Sequence, residues 1–320
     1  MSEFWEGRKI VVTGGHGFLG NHVMGNLAAA GAEGVSCSRS SGCDLRDVDQ
    51  ASRFFSAHKP DMVINCAANQ GGLDYQRQCP ATIFLDNMLM GTNTMEAARR
   101  AGARKYVNII AGCTYPGDER PLQREADLEA GPLHPSVENY AAPKRAALVQ
   151  ARCYRRQYGF NAVSVVLVNM YGPGEHFTPD RSHAVAALIR KFYEAKRDGL
   201  PEVTVWGTGR PVRDWLYVED GAAAVLRIAE HYDAVEPINV GSGHGYSMTD
   251  LAEIIREVVG CQSRIVYDTS KPDGAPRKLV DITRLKGVLD WTPETPIREG
   301  IGKTLDWFVG NYEGAVAAKG

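Results

Sequence analysis

The chain has 320 residues, 44% of them hydrophobic and 23% charged, with a formal net charge of −2. That length holds about two domains' worth of core, and a near-neutral balance without a basic stripe argues against nucleic acid as the main partner. The seven cysteines (Cys37, Cys43, Cys66, Cys79, Cys113, Cys153 and Cys261) are odd in number and scattered, without a C-x-x-C, which argues against a disulfide framework or a metal site and fits a reducing cytoplasm.

The first residues, "MSEFWEGRKI", lack the long apolar region of a signal peptide, and no apolar run approaches the ~18 residues of a membrane span. From there, short β-branched runs alternate with segments of helical period. "KIVVTGG" (9–15) reads as a strand, 18–31 as a helix ending at glycine, and 33–39 as a second strand. A helix over 48–60 closes at proline, a third strand follows at 61–68, a long helix at 82–102 and a fourth strand at 105–112. A helix near 140–158 and a fifth strand over 161–172 complete the series. Apolar strands separated by helices predict an α/β fold, a doubly wound parallel sheet of Rossmann type. Beyond residue 172, prolines and glycines multiply, predicting a smaller α+β substrate-binding domain of short strands and helices. The expected division is 1–168 for a dinucleotide, with a return near 214–243 in which "EPINVGSG" rejoins the sheet, and 169–213 plus 244–320 for the substrate.

"VVTGGHGFLG" places Gly14, Gly17 and Gly20 directly after a strand and at the opening of a helix. A pyrophosphate needs a tight turn, close backbone approach and the positive end of a helix dipole. In the first strand–helix unit this spacing points to a dinucleotide, with Phe18 and Leu19 at the helix start and Ala67 and Ala68 at the end of the third strand beside it. The second strand ends in "CSRSSGCD", with no carboxylate at its tip and Arg39 among serines. Arginine suits a 2′-phosphate, which favours NADP over NAD. Asp44, followed by Leu45, is placed to accept from the adenine amino group.

"ENYAAPKRAA" sets Tyr140 and Lys144 four apart, on one helical face. A lysine beside a phenol favours the phenolate and is expected to lower the tyrosine's pKa, giving a usable acid. Pro143 requires the helix to begin close to Asn139 or to bend, so Tyr140 is expected in the first turn.

Together with "INCAA", these motifs resemble the extended short-chain dehydrogenase/reductase superfamily. "CTYPG", "NMYGPGEHF", "RSHAVAALIRKF", "VWGTGRPVRDWLYVED" and "SKPDGAPRKLVDITRL" are more specific and resemble the GDP-L-fucose synthase family, over nearly the whole chain to about residue 308. The resemblance implies an NADP-dependent enzyme that epimerises C3 and C5 of GDP-4-keto-6-deoxymannose and reduces C4. It implies Cys113 and His183 as the epimerising pair, Tyr140 as proton donor to the C4 oxygen, and Lys144 as ribose ligand. Arg213 would meet the diphosphate, with Arg190, Trp206 and Lys271 as further nucleotide-sugar contacts. It also implies a homodimer built on the helices near 82–101 and at Tyr140, although Phe84, Met88 and Met95 are equally consistent with core packing.

One position departs from the family. Where a serine or threonine stands four residues before the tyrosine of "YP", this chain has Ala111, then Gly112. Losing one such donor typically costs ~10²–10³ in rate. Three readings stay open: water or Thr114 replaces the hydroxyl, the substrate differs near C4, or epimerisation proceeds without net reduction. A redox-silent dinucleotide-binding scaffold is a further reading, against which the retained Tyr140, Lys144, Cys113 and His183 weigh.

Overall fold

The computed structural model describes residues 3–118, 120–179, 181–271 and 273–317. The first half alternates β1 (Lys9–Thr13), α1 (Phe18–Ala29), β2 (Glu33–Cys37), α2 (Val48–His58) and β3 (Met62–Asn65). There follow α3 (Leu73–Gln78), α4 (Pro80–Arg100), β4 (Lys105–Ala111), α5 (Glu138–Tyr158) and β5 (Asn161–Leu167). Ile10, Val11, Val12, Val63 and Ile64 are at most 1% exposed, because helices cover both faces of a parallel sheet and leave no wet side. α4 starts with Pro80, whose missing N–H costs nothing at the first helical position. α5 carries Pro143 in its second turn and keeps Tyr140 in its first, as expected.

The predicted fifth strand divides. After β5 the chain steps out of the sheet at Val168 and forms β6 (Asn169–Tyr171), which pairs with a strand of a different sheet. Next come α6 (Ala184–Asp198), β7 (Glu202–Trp206), β8 (Val212–Tyr217), α7 (Val218–His231), β9 (Ile238–Val240), β10 (Gly245–Ser247) and α8 (Met248–Val259). β11 (Arg264–Asp268), β12 (Arg277–Lys278), α9 (Thr283–Leu289), α10 (Ile297–Gly310) and α11 (Tyr312–Val316) complete the chain. The strands here are short, but α6 and α7 run 15 and 14 residues. Val185, Leu188, Ile189 and Phe192 at helical spacing bury one face of α6, a period that the surrounding glycines and prolines mask in the sequence.

The large sheet has the order β2-β1-β3-β4-β5-β9, every pair parallel. β9 comes from the "EPINVGSG" segment, which rejoins the sheet as expected, and α7 packs against α1. β8 lies in the smaller sheet, between β10 and β12, and also pairs with β6, while β7 pairs with β11. "WGTGRP" is therefore not a hairpin turn but a passage between sheets. One apolar cluster lies under β1, β4, β5 and α7, and another joins α6, α8, α10 and β7. The chain leaves β1 toward β2 on one side and returns to β3 on the other. This reversal opens a crevice at the carboxyl ends of β1 and β3. There the Thr13 hydroxyl donates to Asn65 Oδ1 at 2.6 Å.

Candidate active site

The glycine turn fills that crevice. Gly14 has φ +66°, and a Cβ on it would stand 3.0 Å from the Ala67 backbone. A Cβ on Gly20 would fall 2.1 Å from the Gly14 carbonyl oxygen, so α1 can lie against the turn only without a side chain there. The Gly17 amide donates to Gly14 O at 2.8 Å, and Gly17 heads α1 with no capping side chain. The amides of Phe18 and Leu19 thus open the helix toward the crevice, and Ala67, whose amide reaches Thr13 Oγ1, borders it with the exposed Ala68.

After β2, a tight turn is held by Ser38 and Ser41, the Ser38 amide donating to Ser41 Oγ at 2.8 Å, and carries the exposed Arg39. Asp44 is held by a residue that sequence reasoning passed over. Arg46 donates to it at 2.9 and 2.5 Å and reaches Asp86 of α4 at 3.2 Å. The Arg46 hydrogen bond is the main reason the Asp44 carboxyl drops to about 2. Leu45 is buried beside it. A cradle that a Cβ would fill, a helix amino end and an arginine beside hydroxyls fit a phosphorylated dinucleotide.

β4 ends in "NIIA", and a single turn over Gly112–Thr114 presents Cys113 next to α5. Tyr140 and Lys144 are 5% and 7% exposed. The Lys144 ammonium donates to Ile109 O at 3.0 Å and stands 5.7 Å from the Tyr140 ring centroid. Burial is the largest influence on all three groups. It pushes the Cys113 thiol up to about 11, against the pull of Lys278 and Lys144, and the Lys144 ammonium down to about 8. It also raises the Tyr140 phenol, with Cys113 adding to the rise. The expectation that Lys144 lowers the phenol's pKa is corrected accordingly: desolvation of the buried phenolate dominates, and one N–H of the lysine goes to Ile109 O.

Lys278 of β12 is a second residue not singled out beforehand. Its ammonium donates to Pro116 O at 3.1 Å and lies within the electrostatic reach of both Cys113 and Arg213. Its only sequence signal was its place in "PRKLVD". Thr114 does not replace the hydroxyl missing at Ala111. Its own hydroxyl donates to Ala111 O at 2.5 Å, and it is fully buried.

His183 comes from another part of the fold, at the N-cap of α6, and its side chain does not cap that helix. Burial, then His176, depresses its imidazole to about 4. Among the described residues no interaction joins it to Cys113. Arg213 is largely buried, and among the described residues it donates only to Val212 O, at 2.9 Å. Burial lowers its pKa against the pull of Asp273. Asp214 is not its partner, because that carboxylate accepts from the Ser242 amide at 2.9 Å, the Ser242 hydroxyl at 2.6 Å and the Gly243 amide at 3.3 Å.

Trp206 is 43% exposed, and the ammonium groups of Lys271 and Lys191 stand 5.1 and 5.6 Å from its ring centroid. Such a platform can stack a base between cations. The expected role of Arg190 meets a competing one. Its guanidinium pairs with Glu194 at 2.8 Å and donates to Phe177 O at 3.0 Å, so it ties α6 to the preceding loop.

Comparison with known proteins agrees with this arrangement. Residues 10–241 match the model of the NAD dependent epimerase/dehydratase family. The chain is 39% identical to "Probable GDP-L-fucose synthase 1" of Oryza sativa subsp. japonica, over 96% of this chain and 93% of that one. It is also 39% identical to the GDP-L-fucose synthase of Sinorhizobium fredii, over 96% and 97%. A solved GDP-L-fucose synthetase from Naegleria fowleri bound to NADP superposes with a TM-score of 0.87 at 30% identity, covering 96% of this chain and 94% of that one. A glycine cradle, a buried Tyr140–Lys144 pair and these likenesses over nearly the full length lead to one conclusion: the chain belongs to the NAD dependent epimerase/dehydratase family.

Proposed function

We propose that this protein is an NADP-dependent epimerase/reductase that takes a GDP-4-keto-6-deoxyhexose, inverts C3 and C5, and reduces C4. The observation that carries the reading is the cluster of Cys113, Tyr140, Lys144 and Lys278 at the carboxyl end of β4. It is supported by relatives named as GDP-L-fucose synthases along nearly their whole length. In this reading residues 1–168, with the return near 214–243, hold the dinucleotide, and the remainder holds the nucleotide sugar. Arg213 and Lys278 meet the diphosphate side, and Trp206 stacks the base.

A ketone at C4 acidifies the hydrogens at C3 and C5, because either carbanion is an enolate. Cys113 and His183 act from opposite sides, one removing a proton and the other returning one. The Cys113 thiolate is a minor species at neutral pH, and Lys278 and Lys144 are the cations that stabilise it. Tyr140, kept protonated by burial, donates to the C4 oxygen as charge gathers there. In this reading Lys144 would hold the ribose. NADPH, when bound, supplies the hydride to C4.

Ala111 favours a second reading, epimerisation without net reduction, because the Thr114 hydroxyl is turned back onto the backbone. One experiment separates the two. Supplied with a GDP-4-keto-6-deoxyhexose in D₂O, a reductase consumes NADPH in proportion to product. A pure epimerase incorporates deuterium beside the carbonyl with no loss of nicotinamide absorbance. Neither signal rejects both.

A homodimer through α4 and α5 is part of the proposal. Phe84, Leu85 and Val149 are exposed at 41%, 55% and 43%, whereas Met95 belongs to the core. Sedimentation that gives a monomer would remove it. Seven unpaired cysteines support a reducing cytoplasm as the setting. Among the described residues no helix is long and apolar enough to cross a membrane.

A further inference from the structure

The segment between β6 and α6 contains a carboxyl group that the mechanism above does not use. Glu175 is 4% exposed, and among the described residues both its carboxyl oxygens are enclosed without a hydrogen-bond partner. Burying such a group without a partner is unfavourable, and more so for a charge than for a neutral polar group. Unpaired buried polar atoms are uncommon and call for a reason.

The one polar group that biases Glu175 toward ionisation is the backbone N–H of His183, which faces it without meeting full hydrogen-bond geometry. His183 is the N-cap of α6, and its own side chain leaves the first turn uncapped. Helices normally close this end with a Ser, Thr, Asp or Asn side chain at the N-cap itself. A histidine that folded back to cap could not also face a substrate. Here a buried carboxyl eight residues upstream faces that end of the helix instead.

The segment is pinned on both sides of Glu175. Pro173 O lies 2.9 Å from a ring nitrogen of His22 on α1. The Phe177 ring stacks on Phe308 at 4.3 Å between centroids, and Phe177 O accepts from Arg190. Glu175 therefore has little freedom to leave α6. Burial pushes its carboxyl up to about 8 and the His183 imidazole down to about 4. At neutral pH a protonated acid thus lies behind a neutral imidazole. Titratable groups driven apart by their surroundings in this way are common in acid–base sites.

We infer that Glu175 is a positioning residue for His183, its buried carboxyl closing the amino end of α6 and fixing the direction in which the imidazole meets the sugar. The role assigned to the sugar rests on the proposed function; the capping of α6 does not.

The test compares Glu175→Gln, Glu175→Asp and Glu175→Ala with the wild type in three measurements: deuterium wash-in beside the carbonyl, reduction of an already epimerised 4-keto sugar, and amide exchange over the first turn of α6. The inference expects Glu175→Gln, which keeps shape and hydrogen-bonding atoms, to remain within about threefold of wild type in wash-in. Glu175→Ala should lose ~10–100-fold in the kcat of wash-in with KM unchanged, as misplacement of a catalytic group does, while reduction holds within about twofold. Glu175→Asp, with the carboxyl withdrawn by one methylene, should fall between them, which decides the matter if the alanine variant does not fold. Amide exchange should quicken in Glu175→Ala and not in Glu175→Gln.

Wild-type wash-in in Glu175→Ala, equal loss of wash-in and reduction, or a Glu175→Gln as impaired as Glu175→Ala would each overturn the inference. If the wild type itself shows no wash-in, the proposed function fails, and the amide exchange still decides whether Glu175 caps α6.

Discussion

Cys113 and Tyr140 lie on one corner yet are asked for opposite things: the thiol must lose a proton and the phenol must keep one until the carbonyl oxygen takes it. Burial raises both, which suits the phenol and taxes the thiol. With the thiol near 11, its reactive form grows as pH rises. Alkylation of Cys113 by iodoacetamide should therefore quicken about tenfold per pH unit between about pH 7 and 9, read at the Cys113 peptide by mass spectrometry. A flat profile would mean that the lysines win over burial. Tyr140→Phe removes the donor to the C4 oxygen and should lower reduction by ~10²–10⁴, while deuterium wash-in, which depends on Cys113 and His183, falls much less. At this scale the residue types were legible and their electrostatics were not. Sequence spacing placed Lys144 beside Tyr140, but only packing shows that it donates to Ile109 O and that Lys278, more than 160 positions along the chain from Cys113, is the cation opposing the thiol's rise most strongly.

At the scale of elements, two contacts hold the site in shape. α1 rests on the glycine turn with no room for a methyl group. Gly20→Ala should cost ~1–3 kcal/mol through overpacking and weaken NADP binding, both measurable by denaturant titration with and without cofactor. β8 is tied to the segment after β9 through Asp214. Asp214→Ala leaves the Ser242 and Gly243 amides without their acceptor and should cost ~1–3 kcal/mol. Because Asp214 adjoins Arg213, the variant should also raise KM for the nucleotide sugar. Wild-type stability and KM would show that the tie is dispensable. The strands and helices of the first half were readable because each is a long apolar run of one period. The division of the fifth strand at Val168 was not, since "NAVSVVLVNMY" is continuous in character and only the competing partner β8 draws β6 away.

For the whole molecule, cofactor choice can be read as stability, since a ligand that binds the native state raises the unfolding temperature, and more so the tighter it binds. NADP⁺ should stabilise the protein more than NAD⁺ at equal concentration. Arg39→Ala should remove a charge-assisted contact worth ~1.5–3 kcal/mol, about 10–100-fold in affinity, and bring the two cofactors level. Equal stabilisation of the wild type by both would reject Arg39 as a phosphate ligand. By itself the sequence determined the class of fold, the glycine cradle, the Tyr140–Lys144 spacing and the family resemblance. All of these are local patterns, set by backbone sterics and helical or strand period within a few residues. Only the tertiary structure decided that Lys278 joins Cys113, that Arg190 is spent on Glu194 and Phe177, that Thr114 turns away from the gap at Ala111, and that Glu175 lies buried at the amino end of α6. Each of these depends on which surfaces meet and on the desolvation that follows, and neither is encoded in the spacing of residues along the chain.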